Sequence, residues 1–260
     1  PPSHKSSENH PPRFATAAPT SSPSVASSPT SIVSADTPKK VLVVGAGPAG
    51  CEFASTAAQR GHKVTIFERE DTVGGQVRWS AEATHKPEFM NMFRYYGAML
   101  AKYGVEVRTG IEVTPEVVSQ EKPDIVVVAT GAAPFKPPIE AVDEPYVVQA
   151  WDVLKRKTVA GKNVVVVGGG LVGLETAIYL AKAGMITPDQ LYFLTVHQAE
   201  TAEFLRDHLF DGLRRVRVLE MLGKIGSDIG PSTKWVYYKK LKLYGIEAQA
   251  NAKVVEITPE

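Results

Sequence analysis

The chain has 260 residues, with 29 Lys and Arg against 28 Asp and Glu, for a formal net charge of +1. That balance gives no basic field for nucleic acid, and no apolar run is long enough to span a bilayer. One cysteine, Cys51, allows no internal disulfide, CxxC pair or iron–sulfur ligand set within these residues, and the six histidines show no metal-binding spacing. The expectation is a protein without a metal site, without a membrane span and cytoplasmic.

Residues 1–40 hold eight of the nineteen prolines and ten serines, with Phe14 as their one aromatic. Such a stretch cannot offset its ordering entropy by burial, so residues 1–37 are expected to be disordered or a linker. The Pro-Pro start without Met is expected of a processed chain or an excerpt.

From residue 41 strands and helices alternate. The apolar run 41–44 has the look of a parallel strand covered on both faces. Gly45-Ala46-Gly47-Pro48-Ala49-Gly50 follows, then a helical stretch to Arg60 ended by Gly61, then a strand at 64–68. Gly45 permits the sharp turn from strand to helix. Gly47 leaves room for a pyrophosphate, and Gly50 lets helix and strand pack closely. The phosphates would lie over free N–H groups at the helix start, where Pro48 costs little. Glu68, 18 residues after Gly50, can accept both ribose hydroxyls of an adenosine. Residues 124–129 are expected to form another buried strand, closing with Ala129-Thr130-Gly131.

A second unit begins with a strand at 163–167 and the loop Gly168-Gly169-Gly170-Leu171-Val172-Gly173, whose helix stops at Gly184. Its geometry repeats the first phosphate cradle. The next strand is placed at 216–220, ending in Glu220. A carboxylate there would bond two free ribose hydroxyls and repel a 2′-phosphate, so NADH is expected over NADPH. Arg217 should face solvent, with Val216 and Val218 in the core. Residues 185–214 are read as an insertion. The alternative, that 191–196 is itself the second strand, is weaker because no acid ends it. A final strand is expected at 254–257. The fold class is α/β, with two Rossmann-like three-layer dinucleotide-binding units at 38–150 and 151–260.

Two segments resemble the FAD domain of two-dinucleotide flavoproteins: Gly74-Gly75, shortly after Glu68, and Ala129-Thr130-Gly131. The resemblance implies FAD in the first unit, with Gly74 and Gly75 near its pyrophosphate or ribityl chain. It also implies that Glu175, two residues after Gly173, lies near the contact of nicotinamide and flavin. A plain helix acid favouring the dipole is the other reading of Glu175. The run Val218-Leu219-Glu220-Met221-Leu222-Gly223, with the helix at 232–244, is similar to the C-terminal half of 2,4-dienoyl-CoA reductases, 2-enoate reductases and trimethylamine dehydrogenase. The likeness covers about residues 38–260 and implies a truncated member without the FMN-bearing barrel. The function implied is a flavin-linked oxidoreductase module. Hydride would pass from NADH to FAD, and electrons onward to a protein partner or missing domain carrying FMN or another acceptor. The alternatives are a non-catalytic nucleotide-binding module holding ADP or FAD, and an inactive fragment of a larger ene-reductase. The hydride step requires no acid, base or nucleophile from the chain, so no catalytic residue is expected, and Cys51 is read as a buried inert thiol.

Overall fold

The structure is a computed structural model and describes residues 32–83 and 86–259. The expectation of disorder for residues 1–31 lies outside the described residues. Residues 32–37 have no regular structure but lie against the first unit. Ala35 N–H donates to the Arg60 carbonyl at 2.8 Å, and Arg60 Nε donates to the Val33 carbonyl.

The first sheet is built from β1 (Lys40–Val44), β2 (Lys63–Phe67), β3 (Glu106–Arg108) and β4 (Ile125–Val128), all parallel in the order β3-β2-β1-β4. Between these strands run α1 (Pro48–Gln59), α2 (Val77–Ala83), α3 (Phe89–Lys102) and α4 (Pro115–Glu121). Pro48 opens α1 without losing a helical hydrogen bond, and Gly61 leaves the helix with φ +93°. Val41, Val43, Val64 and Ile66 meet Ala54, Ala57 and Leu100 in one core. Each large apolar side chain buried there contributes about 1.5–3 kcal/mol.

A short α5 (Ala150–Leu154) leads to the second sheet. That sheet comprises β5 (Asn163–Val167), β6 (Arg215–Leu219) and β7 (Glu247–Gln249), parallel in that order. Helices α6 (Leu171–Lys182), α7 (Pro188–Val196) and α8 (Ala202–His208) connect β5 to β6, and α9 (Pro231–Leu243) connects β6 to β7. Leu174, Ala177, Ile178 and Ala181 of α6 pack with Val216, Val218, Leu241 and Ile246. As expected, Arg217 is exposed; it pairs with Glu247 across the strands at 2.6 Å.

One alternative falls away, and two expectations need correction. Residues 191–196 are helical, not a strand. Thr187 and Gln190 form a reciprocal capping box with Pro188 in the first turn, and this local start signal outweighs the β-leaning Leu-Tyr-Phe-Leu-Thr-Val composition. Residues 254–257 form no strand; a single parallel bridge joins Glu256 to Glu140. The sheet edge is taken instead by β7, whose Glu-Ala-Gln sequence carries no apolar signature. Finally, β4 is paired as expected but is not buried. Val128 is 74% exposed, and Ile125 and Val126 are exposed too. The strand lies at the edge of its sheet; Val127 packs against the first core, while Ile125, Val126 and Val128 lack cover among the described residues. Strand β5, also at an edge, exposes Val165 and Val167 in the same way.

The excursion holding α7 and α8 leaves and returns at one place. Leu213 N–H donates to the Ala183 carbonyl at 2.8 Å, so the chain ends of the excursion are tied together. Among the described residues no helix is long and apolar enough to cross a membrane.

Candidate functional site

Register places the site. Val44 pairs with both Phe67 and Val128, so Gly45, Glu68 and Ala129 emerge together at the carboxyl end of the first sheet. Val167 pairs with Leu219, so Gly168 and Glu220 emerge together from the second. Ligands of open α/β sheets bind at this end of the strands.

The two loops share one construction. Gly45 and Gly168 have φ of +101° and +104°, a conformation that side chains other than glycine's rarely adopt. A Cβ on Gly50 would overlap the Gly45 carbonyl, and one on Gly173 would overlap the Gly168 carbonyl. In each unit the acid ending the next strand clamps the loop. Glu68 Oε2 accepts from Ala46 N–H at 2.8 Å, and its Oε1 accepts from Glu70 N–H at 3.0 Å. Glu220 Oε2 accepts from Gly169 N–H at 2.6 Å, and its Oε1 accepts from Leu222 N–H at 2.7 Å. Both carboxylates are buried. A carboxylate has about four lone-pair positions, so each keeps acceptor capacity beyond these two bonds.

Around the first loop lies a cleft of about 460 Å³. It brings together Gly45, Gly47, Pro48, Ala49, Glu68, Gly75, Ala129, Thr130 and Gly131, all singled out from the sequence. Gly47 opens onto free space, with nothing within 4 Å of an added Cβ. Gly50 sits beneath the loop as a packing glycine. Gly74 supports it from behind, where its N–H donates to the Ala46 carbonyl at 2.7 Å and a side chain would strike Phe93. An open glycine over a helix start, flanked by a buried acid, suits the pyrophosphate and ribose of a dinucleotide.

The same cleft has walls that the sequence did not reveal. Arg69, Thr72, Arg78, Trp79, Trp151 and Lys155 line it. Lys155 Nζ lies 5.0 Å from the Trp79 ring centroid and 5.8 Å from that of Trp151. Arg69 could have been found by its place next to Glu68. The two tryptophans and Lys155 are far apart in sequence and belong to no motif. Gln76 Nε2 donates to the Ala132 carbonyl at 2.8 Å, closing the floor.

Glu175 is buried in the body of α6 and spans the two units. Its Oε1 accepts from Lys86 Nζ and from the Tyr237 hydroxyl, each at 2.7 Å. A plain dipole-favouring acid would be exposed in the first turn, so the contacts exclude that reading. Burial, then the bond to Glu175, pushes the Tyr237 hydroxyl well above the usual tyrosine range, so it remains a donor. Neither Lys86 nor Tyr237 was foreseen. A second junction contact joins Lys155 Nζ to Glu70 at 3.8 Å.

Over the second loop, Leu171 and Val172 begin α6. The Leu171 N–H is taken by the Asp228 carboxylate, at 3.0 and 3.2 Å. Cys51 is buried and donates to the Ala46 carbonyl at 3.3 Å. Burial, aided by the charge of Glu68, pushes its thiol up to about 11. It is therefore held as the inert thiol form at neutral pH. A second cavity, about 630 Å³, lies between α7 and α8, lined by Phe193, Phe204, His208 and Asp189 among others. Among the described residues no group of three or more His, Cys, Asp or Glu is placed to hold a metal ion.

Two parallel-sheet units, each ending in a glycine loop clamped by a strand-end acid, define the fold of a two-dinucleotide-binding family. The chain belongs to the pyridine nucleotide-disulphide oxidoreductase family, whose model matches residues 39–260. Within it the chain falls in the branch of the 2,4-dienoyl-CoA reductases and trimethylamine dehydrogenase. It is 43% identical over 227 residues to a metal reductase of Desulforamulus reducens, covering 86% of this chain and 34% of that protein. It is 36% identical over 225 residues to an NADH oxidase of Thermoanaerobacter brockii, covering 85% of this chain and 30% of that one. The solved complex of 2-naphthoyl-CoA reductase with 2-naphthoyl-CoA superposes with a TM-score of 0.73 at 31% identity, over 88% of this chain and 30% of that chain. The chain thus spans about a third of the length of the relatives it matches. Its cofactor classes are FAD and a pyridine nucleotide.

Proposed function

We propose that this chain is the electron-input module of a larger reductase. In this reading the 45–50 loop and Glu68 hold FAD, while the 168–173 loop and Glu220 hold NADH. The observation that carries it is the repeated clamp, in which a buried strand-end acid fixes a glycine loop by one backbone N–H in each unit. When bound, the two cofactors supply the transfer of a hydride, two electrons and a proton together, from dihydronicotinamide to flavin. The chain's own residues bind and orient. The free side of Gly47 admits the FAD pyrophosphate, and Glu68 receives its adenosine ribose. Gly75 and the 129–131 turn bound the same cleft. Lys86, Glu175 and Tyr237 form the polar joint between the units. A carboxylate held by a lysine and a protonated hydroxyl there ties Lys86 of the first unit to α6 and α9 of the second. Glu220 favours a free 2′-hydroxyl and so NADH over NADPH.

In this reading the electrons would go on to a further domain or partner subunit bearing FMN or another acceptor. Two observations support this: the relatives are about three times as long, and the faces of β4 and β5 carry bare valines. Cys51 takes no part, because its thiol is buried and protonated. The test is anaerobic titration of the flavin-loaded chain with NADH, following bleaching of the visible flavin band. A chain that retains no flavin, or whose flavin NADH leaves oxidised, would sink the reading.

A further inference from the structure

The two loops differ at the helix start. Asp228 lies in the segment between β6 and α9, and both its carboxylate oxygens accept from the Leu171 N–H that opens α6. Its Oδ2 is 3.0 Å from where a Cβ on Gly170 would stand, so it fills the open side of that glycine. In the first loop the equivalent glycine, Gly47, faces free space, and Leu171 is replaced by Pro48, which has no N–H to offer a carboxylate.

The segment that carries Asp228 is anchored. Gly226 N–H donates to the Gly169 carbonyl at 2.7 Å, and Ile225 and Ile229 on either side are buried. Asp228 itself is exposed, so its side chain can turn to water without leaving a buried charge. A helix start with a free N–H attracts one anion, and two anions cannot share the same donor without repulsion.

We propose that Asp228 is an internal competitor for the pyrophosphate of the second dinucleotide. Without nucleotide its carboxylate holds the Leu171 N–H; a dinucleotide must displace it, and the phosphate then takes that donor. The competition weakens binding at the second loop and keeps its nucleotide exchangeable. The first loop has no such competitor and suits a resident cofactor. This inference rests on the assignment of a pyridine nucleotide to the 168–173 loop.

The test is calorimetric binding of NADH, and separately of inorganic pyrophosphate, to the flavin-loaded chain and its Asp228→Asn and Asp228→Ser variants. The variants should bind both ligands more tightly, NADH by about tenfold, which corresponds to about 1.4 kcal/mol. Flavin content should not change. NADH binding that is equal or weaker in the variants overturns the inference and leaves the assignment of the loop standing. Failure of all three proteins to bind NADH overturns both. Should the variants not fold, the wild-type chain carries the test by nuclear magnetic resonance. The Leu171 amide and the Asp228 carboxyl carbon should shift together as NADH is added. NADH binding that moves the Leu171 amide alone, or neither signal, overturns the inference.

Discussion

The two glycine loops are close copies in backbone and differ in what lies above them. Both turn through a left-handed glycine, both pack a glycine against the carbonyl that begins the turn, and both are clamped by a buried glutamate. The first opens into a walled cleft with tryptophans and a lysine. In the second, an aspartate is lodged on the helix start. A shared scaffold therefore does not imply shared retention of ligand; the side chains facing the loop decide whether an occupant stays or exchanges.

The largest effects should come from the packing glycines. Gly50→Val and Gly173→Val each drive a side chain into a backbone carbonyl, a strain costing about 3 kcal/mol or more. Gly50→Val should yield protein without flavin, whereas Gly173→Val should keep flavin and lose NADH binding. Flavin content after gel filtration checks both. Loss of flavin in Gly173→Val would show that the units do not stand apart.

Removing a clamp is milder. Glu68→Ala and Glu220→Ala each leave two backbone N–H groups without their acceptor, at a cost of roughly 1–3 kcal/mol. Glu68→Ala should reduce flavin retention. Glu220→Ala should move steady-state preference from NADH toward NADPH, and an unmoved ratio would remove Glu220 from ribose recognition. Lys86→Met should cost about 1–2 kcal/mol in urea unfolding. That is below the range for a fully buried pair because the lysine is about one third exposed.

Replacing residues 186–211 by a short Gly-Ser link should cost about 1 kcal/mol or less, since the flanking chain already meets at Ala183 and Leu213. Thermal melting checks this, and collapse of the second unit alone would make the excursion part of its core.

The smallest effect is in acid. Hydrogen bonds from Arg108, then from Lys40, hold the Glu121 carboxyl below its ordinary range. The stability this gives is fully present above the unfolded carboxylate value near ~4.3 and is lost as pH falls through the lower folded value. Glu121→Gln should flatten that part of the pH–stability curve for the first unit.

The legible parts of the molecule were those with local chemistry. Both loops, α1, α6 and the strand-end acids could be read because turn glycines and apolar runs are constrained within a few residues. The excursion was legible from its length, but its first helix was not, because Leu-Tyr-Phe-Leu-Thr-Val leans toward a strand when Thr187 and Gln190 are ignored. Lys86, Tyr237 and the tryptophan walls were invisible, because each acquires its partner only through folding across long separations. The bare face of β4 was unforeseen for a related reason: an all-apolar run states that cover is wanted, not that it is present.

The hydrogen bond between Leu213 and Ala183 decides how much change the second unit can absorb. Because the polypeptide departs and rejoins at one stitch, whole helices can be added or dropped there while β5 and β6 keep their pairing. The position behaves like a socket, able to take an attachment of any length at the rim of the sheet without disturbing the strands behind it.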